Sequence, residues 1–147
     1  MHDPEAHKLF IKGLTAFNQG KMLSALAHFE KADSIERSPL TTSYLALCIA
    51  SQRGQIRKAI SLCEEAIQAD PETPAHYLNL GKVYLLGHNK EEAIRVFREG
   101  LKYEVNQMII DELVKLETRK PPVIRFLARD NPLNKYLGIL LKKLGLR

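Results

Sequence analysis

Residues 74–107, PAHYLNLGKVYLLGHNKEEAIRVFREGLKYEVNQ, decide the fold. Tyr77, Leu80, Gly81 and Tyr84 recur at helical spacing and share one face of a first helix. Ala93, Phe97 and Gly100 share one face of a second. Small residues at Gly81 and Ala93 let two helices approach closely, and aromatic rings fill the space beside that contact. The pair breaks at Gly87-His88-Asn89. Upstream, Asp70-Pro71 ends one helix and Thr73-Pro74 begins the next.

The same pattern stands twice more upstream, at a spacing of 34 residues. Gly13, Leu47 and Gly81 are in register, as are Ala25, Ala59 and Ala93; Phe29, Cys63 and Phe97; and Ala32, Ala66 and Gly100. Gly20 and Gly54 mark the equivalent breaks, with His88 as the odd member. A repeat of this length predicts stacked helical hairpins, an architecture that holds partners rather than performing chemistry. First helices are expected at 4–19, 40–53 and 74–87, and second helices at 21–36, 55–69 and 89–102. Met108, Ile109, Leu113 and Leu116 predict a seventh helix at 107–118 that caps the last hairpin. Lys120-Pro121-Pro122 then interrupts the chain. Asn131 and Pro132 signal a final helix over 132–144, with Leu133, Tyr136, Leu137, Leu140, Leu141 and Leu144 as its apolar stripe. Two parts follow: a repeat domain, 1–118, and a C-terminal segment, 119–147.

The hairpins resemble the tetratricopeptide repeat family. In the unit 74–107, Tyr77, Leu80, Gly81, Tyr84, Ala93 and Phe97 sit where the family's signature residues sit. The unit 40–73 keeps Ala46, Ala59, Ala66 and Pro71, with Leu47 and Cys63 in place of the usual glycine and aromatic. The unit 6–39 keeps Gly13, Ala25, Phe29 and Ala32, with Lys12 at a normally apolar position. The resemblance covers residues 6–107. It implies an all-α, right-handed superhelical solenoid of three hairpins, and a noncatalytic adaptor or scaffold that binds a partner's peptide or helical segment in its concave groove.

Carried over position by position, the resemblance points to His7, Phe10, Leu14, Phe17 and Asn18; to Thr41, Tyr44, Cys48, Ser51 and Gln52; and to Ala75, Leu78, Asn79, Lys82, Leu85 and Leu86. Phe10, Leu14, Phe17, Tyr44, Leu78 and Leu85 are the expected apolar anchors, with Gln52, Asn79 and Lys82 fixing polar groups. Tyr44→Ala is expected to weaken partner binding with little loss of fold. Relatives that clamp acidic C-terminal tails need polar or basic groups where this chain has Phe10, Leu14 and Ala75, so no such clamp is expected. The stripe suits an amphipathic helix or an apolar extended segment. Part of it is open to a second reading, as packing between repeats.

Composition and charge bound the rest. Hydrophobic residues make up 45% of the chain, enough for a packed core, and no run is long and apolar enough to span a bilayer. The start, Met1-His2-Asp3-Pro4-Glu5, lacks the pattern of a signal peptide, and a cytoplasmic location is expected. Residues 1–118 carry a net charge of −2 and residues 119–147 a net charge of +7. The basic segment has three readings: extra capping structure, occupation of the groove of its own chain or of a neighbour, or a surface-targeting helix. Self-association through it is therefore kept open, while nucleic acid, membrane and small-molecule substrates are not expected partners.

No phosphate-binding glycine loop, nucleophile elbow or His-Glu-x-x-His motif is present, and the five histidines stand apart. No catalytic residue, metal site or cofactor is expected. Glu64-Glu65 and Glu91-Glu92 are read as helix-dipole partners early in second helices. Cys63, at a core aromatic position, is expected to be buried. Cys48 is expected on a first-helix face turned away from that core, and no disulfide is expected between them.

Overall fold

Prolines and short polar side chains set the helix starts. The computed structural model describes residues 2–118, which form seven helices and no strands. These are α1 (Pro4–Asn18), α2 (Met22–Ile35), α3 (Pro39–Arg53), α4 (Ile56–Ala69), α5 (Pro74–Leu86), α6 (Lys90–Leu101) and α7 (Gln107–Thr118). The basic segment 119–147, with its expected final helix, lies outside the described residues. Proline occupies the first turn of α1, α3 and α5, where its missing N–H has no intrahelical partner to lose. Asp3 Oδ1 accepts the Ala6 amide at 3.0 Å, and Ser38 Oγ accepts that of Thr41 at 3.2 Å. Each satisfies a donor that the helix itself cannot.

The hairpins turn on a left-handed residue. Gly20 (φ 77°), Gly54 (φ 65°) and His88 (φ 60°) occupy equivalent places 34 residues apart. Glycine adopts this conformation freely; a residue with a Cβ does so at a cost of about 1 kcal/mol.

Consecutive hairpins, α1/α2, α3/α4 and α5/α6, stack so that each packs on the next, and α7 closes against α6. Three buried clusters result. The first joins Phe10 and Ala16 of α1, Phe29 of α2, and Leu45, Cys48 and Ile49 of α3. The second joins Leu47, Cys63, Tyr77, Leu80 and Val83 from α3, α4 and α5. The third joins Leu78, Phe97, Ile109, Ile110 and Leu113 from α5, α6 and α7. Every cluster thus combines one hairpin with the first helix that follows it, and α7 takes that place for the last hairpin. Phe29 and Phe97 are fully buried. Each contributes about 1.5–3 kcal/mol by leaving water.

A Cβ on Gly13 would stand 2.6 Å from the Phe29 ring, and one on Gly81 would overlap the Phe97 ring. The second hairpin reverses the pair: Leu47 fills the glycine place and Cys63 the ring place, and both are buried in one cluster. Bulk moves from the second helix to the first while the space between them stays filled.

Two expectations are corrected. Cys48 is fully buried rather than turned away from the core, because the first hairpin, α1 and α2, packs over the face of α3 that carries it. Glu64 and Glu65 lie well inside α4, too far from its start to feel the dipole; Glu65 instead pairs with Arg37 at 2.8 Å. Glu91 and Glu92 do occupy the first turn of α6. Lys12, in register with the buried Ala46 and Leu80, is exposed, so its charge stays in water.

Two predictions follow from the hairpin geometry. Cys63→Phe alone should lose about 1–3 kcal/mol by overpacking against Leu47. Combined with Leu47→Gly, it should lose at least about 1 kcal/mol less than the two single losses summed, read by urea denaturation as a double-mutant cycle. His88→Gly should stabilise the fold by about 1 kcal/mol, seen as a rise in the denaturation midpoint without a change of slope.

Candidate interaction groove

The first helices supply the inner wall of the stack. A concavity of about 330 Å³ opens along it, lined by Phe17 (α1), Met22 (α2), Leu47 and Ser51 (α3), Lys82, Leu85 and Leu86 (α5) and Glu112 (α7). Its walls are mainly apolar. Leu86 is 45% exposed and adjoins Phe17 and Leu85 in the lining, so the apolar surface there is contiguous. Lys82 Nζ lies 5.9 Å from the centre of the Phe17 ring, so a cation–π contact bridges α5 and α1 across the groove. Such a contact is worth about 0.5–1 kcal/mol where water reaches it. Lys82 and Glu112 are the charged side chains of the lining.

The residues picked out by sequence divide by depth. Phe17, Lys82 and Leu85 line the concavity together. Leu14 is half-buried beside the first cluster, and Gln52 is exposed, its Nε2 donating to Ser51 Oγ at 3.2 Å. Phe10, Leu78 and Asn79 are buried and present almost no surface to a partner. Helical spacing places them on the groove side, but the next helix in the stack covers them, so they serve the joints between hairpins. Met22, Leu47 and Glu112 are lining residues that spacing did not single out. Met22 follows the Gly20 turn directly, and Leu47 stands where the other hairpins have glycine.

Tyr44 is the hub of an aromatic cluster. Its ring centre lies 5.3 Å from that of Phe17, 5.7 Å from Phe29 and 6.0 Å from Phe10. Burial raises its hydroxyl pKa. Tyr44→Ala would remove the contact that ties α3 to both helices of the first hairpin, so its cost falls on stability, contrary to the sequence expectation.

A polar network joins the second and third hairpins. His76 Nδ1 is 2.9 Å from Ser43 Oγ, and its Nε2 is 3.4 Å from Asp70 Oδ2. Asn79 Nδ2 donates to Ser43 Oγ at 3.2 Å, and Thr73 Oγ1 donates to Asp70 Oδ2 at 2.6 Å. The residue types match a Ser-His-Asp relay, but the geometry does not serve nucleophilic attack. Ser43 and His76 are fully buried, so no substrate carbonyl reaches the Oγ atom. The network instead satisfies polar groups that stacking has removed from water. The Thr73 hydroxyl, and after it the imidazole, holds the Asp70 carboxyl below its ordinary range. Burial pushes the His76 pKa down, and the nearby Asp70 carboxylate offsets only part of this. Among the described residues no group of His, Cys, Asp and Glu is placed to hold a metal ion. Cys48 and Cys63 are both free thiols, each pushed up to about 12, in both cases chiefly by burial.

The His76 site makes stability depend on pH. Above the unfolded imidazole pKa both states are neutral and the full stability is present. As pH falls below it, the unfolded chain takes up a proton that the folded chain resists, and stability declines. Urea midpoints should therefore fall between about pH 7.5 and pH 5, and His76→Gln should flatten that decline. An unchanged slope in His76→Gln would place its origin elsewhere.

The family model for the tetratricopeptide repeat matches residues 50–110. No curated protein matches the chain by sequence. Among solved structures, the TPR domain of Sgt2 from Aspergillus fumigatus superposes with a TM-score of 0.66 at 23% identity, over 87% of this chain and 89% of that one. The first TPR of Spaghetti (RPAP3), bound to the HSP90 peptide SRMEEVD, superposes with a TM-score of 0.62 at 23% identity, over 78% of this chain and 92% of that one. No helix among the described residues is long and apolar enough to cross a membrane.

Proposed function

Because this chain is a tetratricopeptide repeat protein, we propose that it works as a noncatalytic adaptor, taking an apolar helical segment of a partner protein into its concave groove. One observation carries the reading: the groove surface of Phe17, Leu85 and Leu86, laid over the buried Leu47, is apolar and open, with its charges confined to Lys82 and Glu112. An amphipathic helix presents the complementary stripe, and its polar face stays in water. The anchors are Phe17, Leu85 and Leu86. Lys82 and Ser51 orient the partner's polar groups.

The RPAP3 structure shows the same fold holding an acidic peptide. This groove favours different chemistry. At three places of a carboxylate clamp stand Phe10, Leu14 and Ala75, none of which donates a hydrogen bond from its side chain; Asn79 and Lys82 are the suggestive donors, and Asn79 is buried. The two unpaired buried thiols suit a reducing compartment such as the cytoplasm.

Two peptides test the reading by titration calorimetry: an amphipathic helix with leucines at i, i+3 and i+7, and SRMEEVD. The leucine peptide should bind and SRMEEVD should not. Leu86→Glu should weaken the leucine peptide by about tenfold or more without lowering Tm, since Leu86 is exposed. Comparable binding of SRMEEVD, or indifference to Leu86→Glu, would overturn the apolar reading.

A further inference from the structure

An open apolar groove is occupied first by the apolar segment held nearest to it. In this chain that segment leaves α7. Glu112 of α7 stands in the groove lining, and residues 119–147 follow the helix end at Thr118. The stretch 119–131, drawn out, reaches about 40 Å. Three helices packed side by side span about 20–30 Å, so the whole groove is within that reach. Beyond the stretch, Leu133, Tyr136, Leu137, Leu140, Leu141 and Leu144 recur at helical spacing. A helix of that length measures about 20 Å, close to the length of α5 along the groove wall. Charge points the same way: residues 1–118 carry −2 and residues 119–147 carry +7. Tethering raises the local concentration of the segment to about the millimolar range, so a contact too weak to hold a free peptide is enough.

We infer that the resident occupant of the groove is the chain's own segment 132–144, bound intramolecularly, and that a partner gains access by displacing it. This rests on the groove reading above and adds regulation to it: the tail sets the affinity threshold that a partner must exceed. A partner's apparent affinity falls by the fraction of time the groove is filled.

The full chain tests this with a nitroxide at a new cysteine, Arg147→Cys. The native thiols do not compete for the label, because burial pushes Cys48 and Cys63 up to about 12. Amide signals of Ser51, Leu85 and Leu86 should lose most of their intensity, while that of Glu65 on α4 keeps it. The loss should persist on dilution and should vanish when Leu137→Glu and Leu141→Glu are added. The same double substitution should tighten the leucine peptide by about tenfold or more. Undiminished groove signals would overturn the inference. So would losses that arise only between separately labelled chains, since the occupant would then be a second copy. If the tail is absent but the leucine peptide still perturbs Ser51 and Leu85, self-occupancy fails and the groove reading stands. If that peptide perturbs neither amide, with or without the tail substitutions, the groove reading fails as well.

Discussion

The structure depends on one interlock: a bulky side chain on one helix of a hairpin fills the place where the other helix has only a small one. Phe29 lies against Gly13 and Phe97 against Gly81, so closely that neither glycine has room for a methyl group. The second hairpin meets the same constraint with Leu47 and Cys63. The constrained quantity is the summed volume at the contact, not the identity of either residue. Close approach of the paired helices is what allows each hairpin to present a flat side to the next.

Stacking then divides each first helix into a buried flank and an open one. The buried flank carries Phe10, Ser43, Leu45, His76, Leu78 and Asn79, and the half-exposed Asp70 meets His76 from the end of α4. Polar groups placed there must find partners within the protein, and Asn79 succeeds only in part: its Nδ2 reaches Ser43, while Oδ1 has no partner among the described residues. The open flank carries Phe17, Ser51, Lys82, Leu85 and Leu86. The groove is therefore a product of stacking, and its chemistry is whatever the open flank carries. Here that is mostly aliphatic and aromatic surface, with the Lys82–Phe17 contact spanning it.

Much of this is legible in the chain because a helical solenoid is built from local rules. The interval of 34 residues, the three prolines that open α1, α3 and α5, and the left-handed turn residues are all short-range signals. The helices they predict begin and end within two residues of those observed. The misplaced residues share one cause. Cys48, Phe10, Leu78 and Asn79 have the periodicity of a groove face, and periodicity reports direction around a helix axis but not how deeply the neighbouring helix covers that direction. Glu112 escaped notice for a related reason: α7 reads as a cap, and only its packing angle brings one of its carboxylates into the groove lining.

The sequence by itself determined the helices, their pairing and the order of the stack, because each rests on contacts between residues close along the chain. It determined as well that Gly13 and Gly81 must face rings, since the volumes repeat in register. The tertiary structure alone decided which groove-side residues reach solvent, that Tyr44 binds the first two hairpins together, and that a buried serine and histidine meet an aspartate at the joint between two hairpins. Those outcomes depend on the distance and tilt between successive hairpins. That geometry comes from the packing of many side chains at once and is carried by no single stretch of residues.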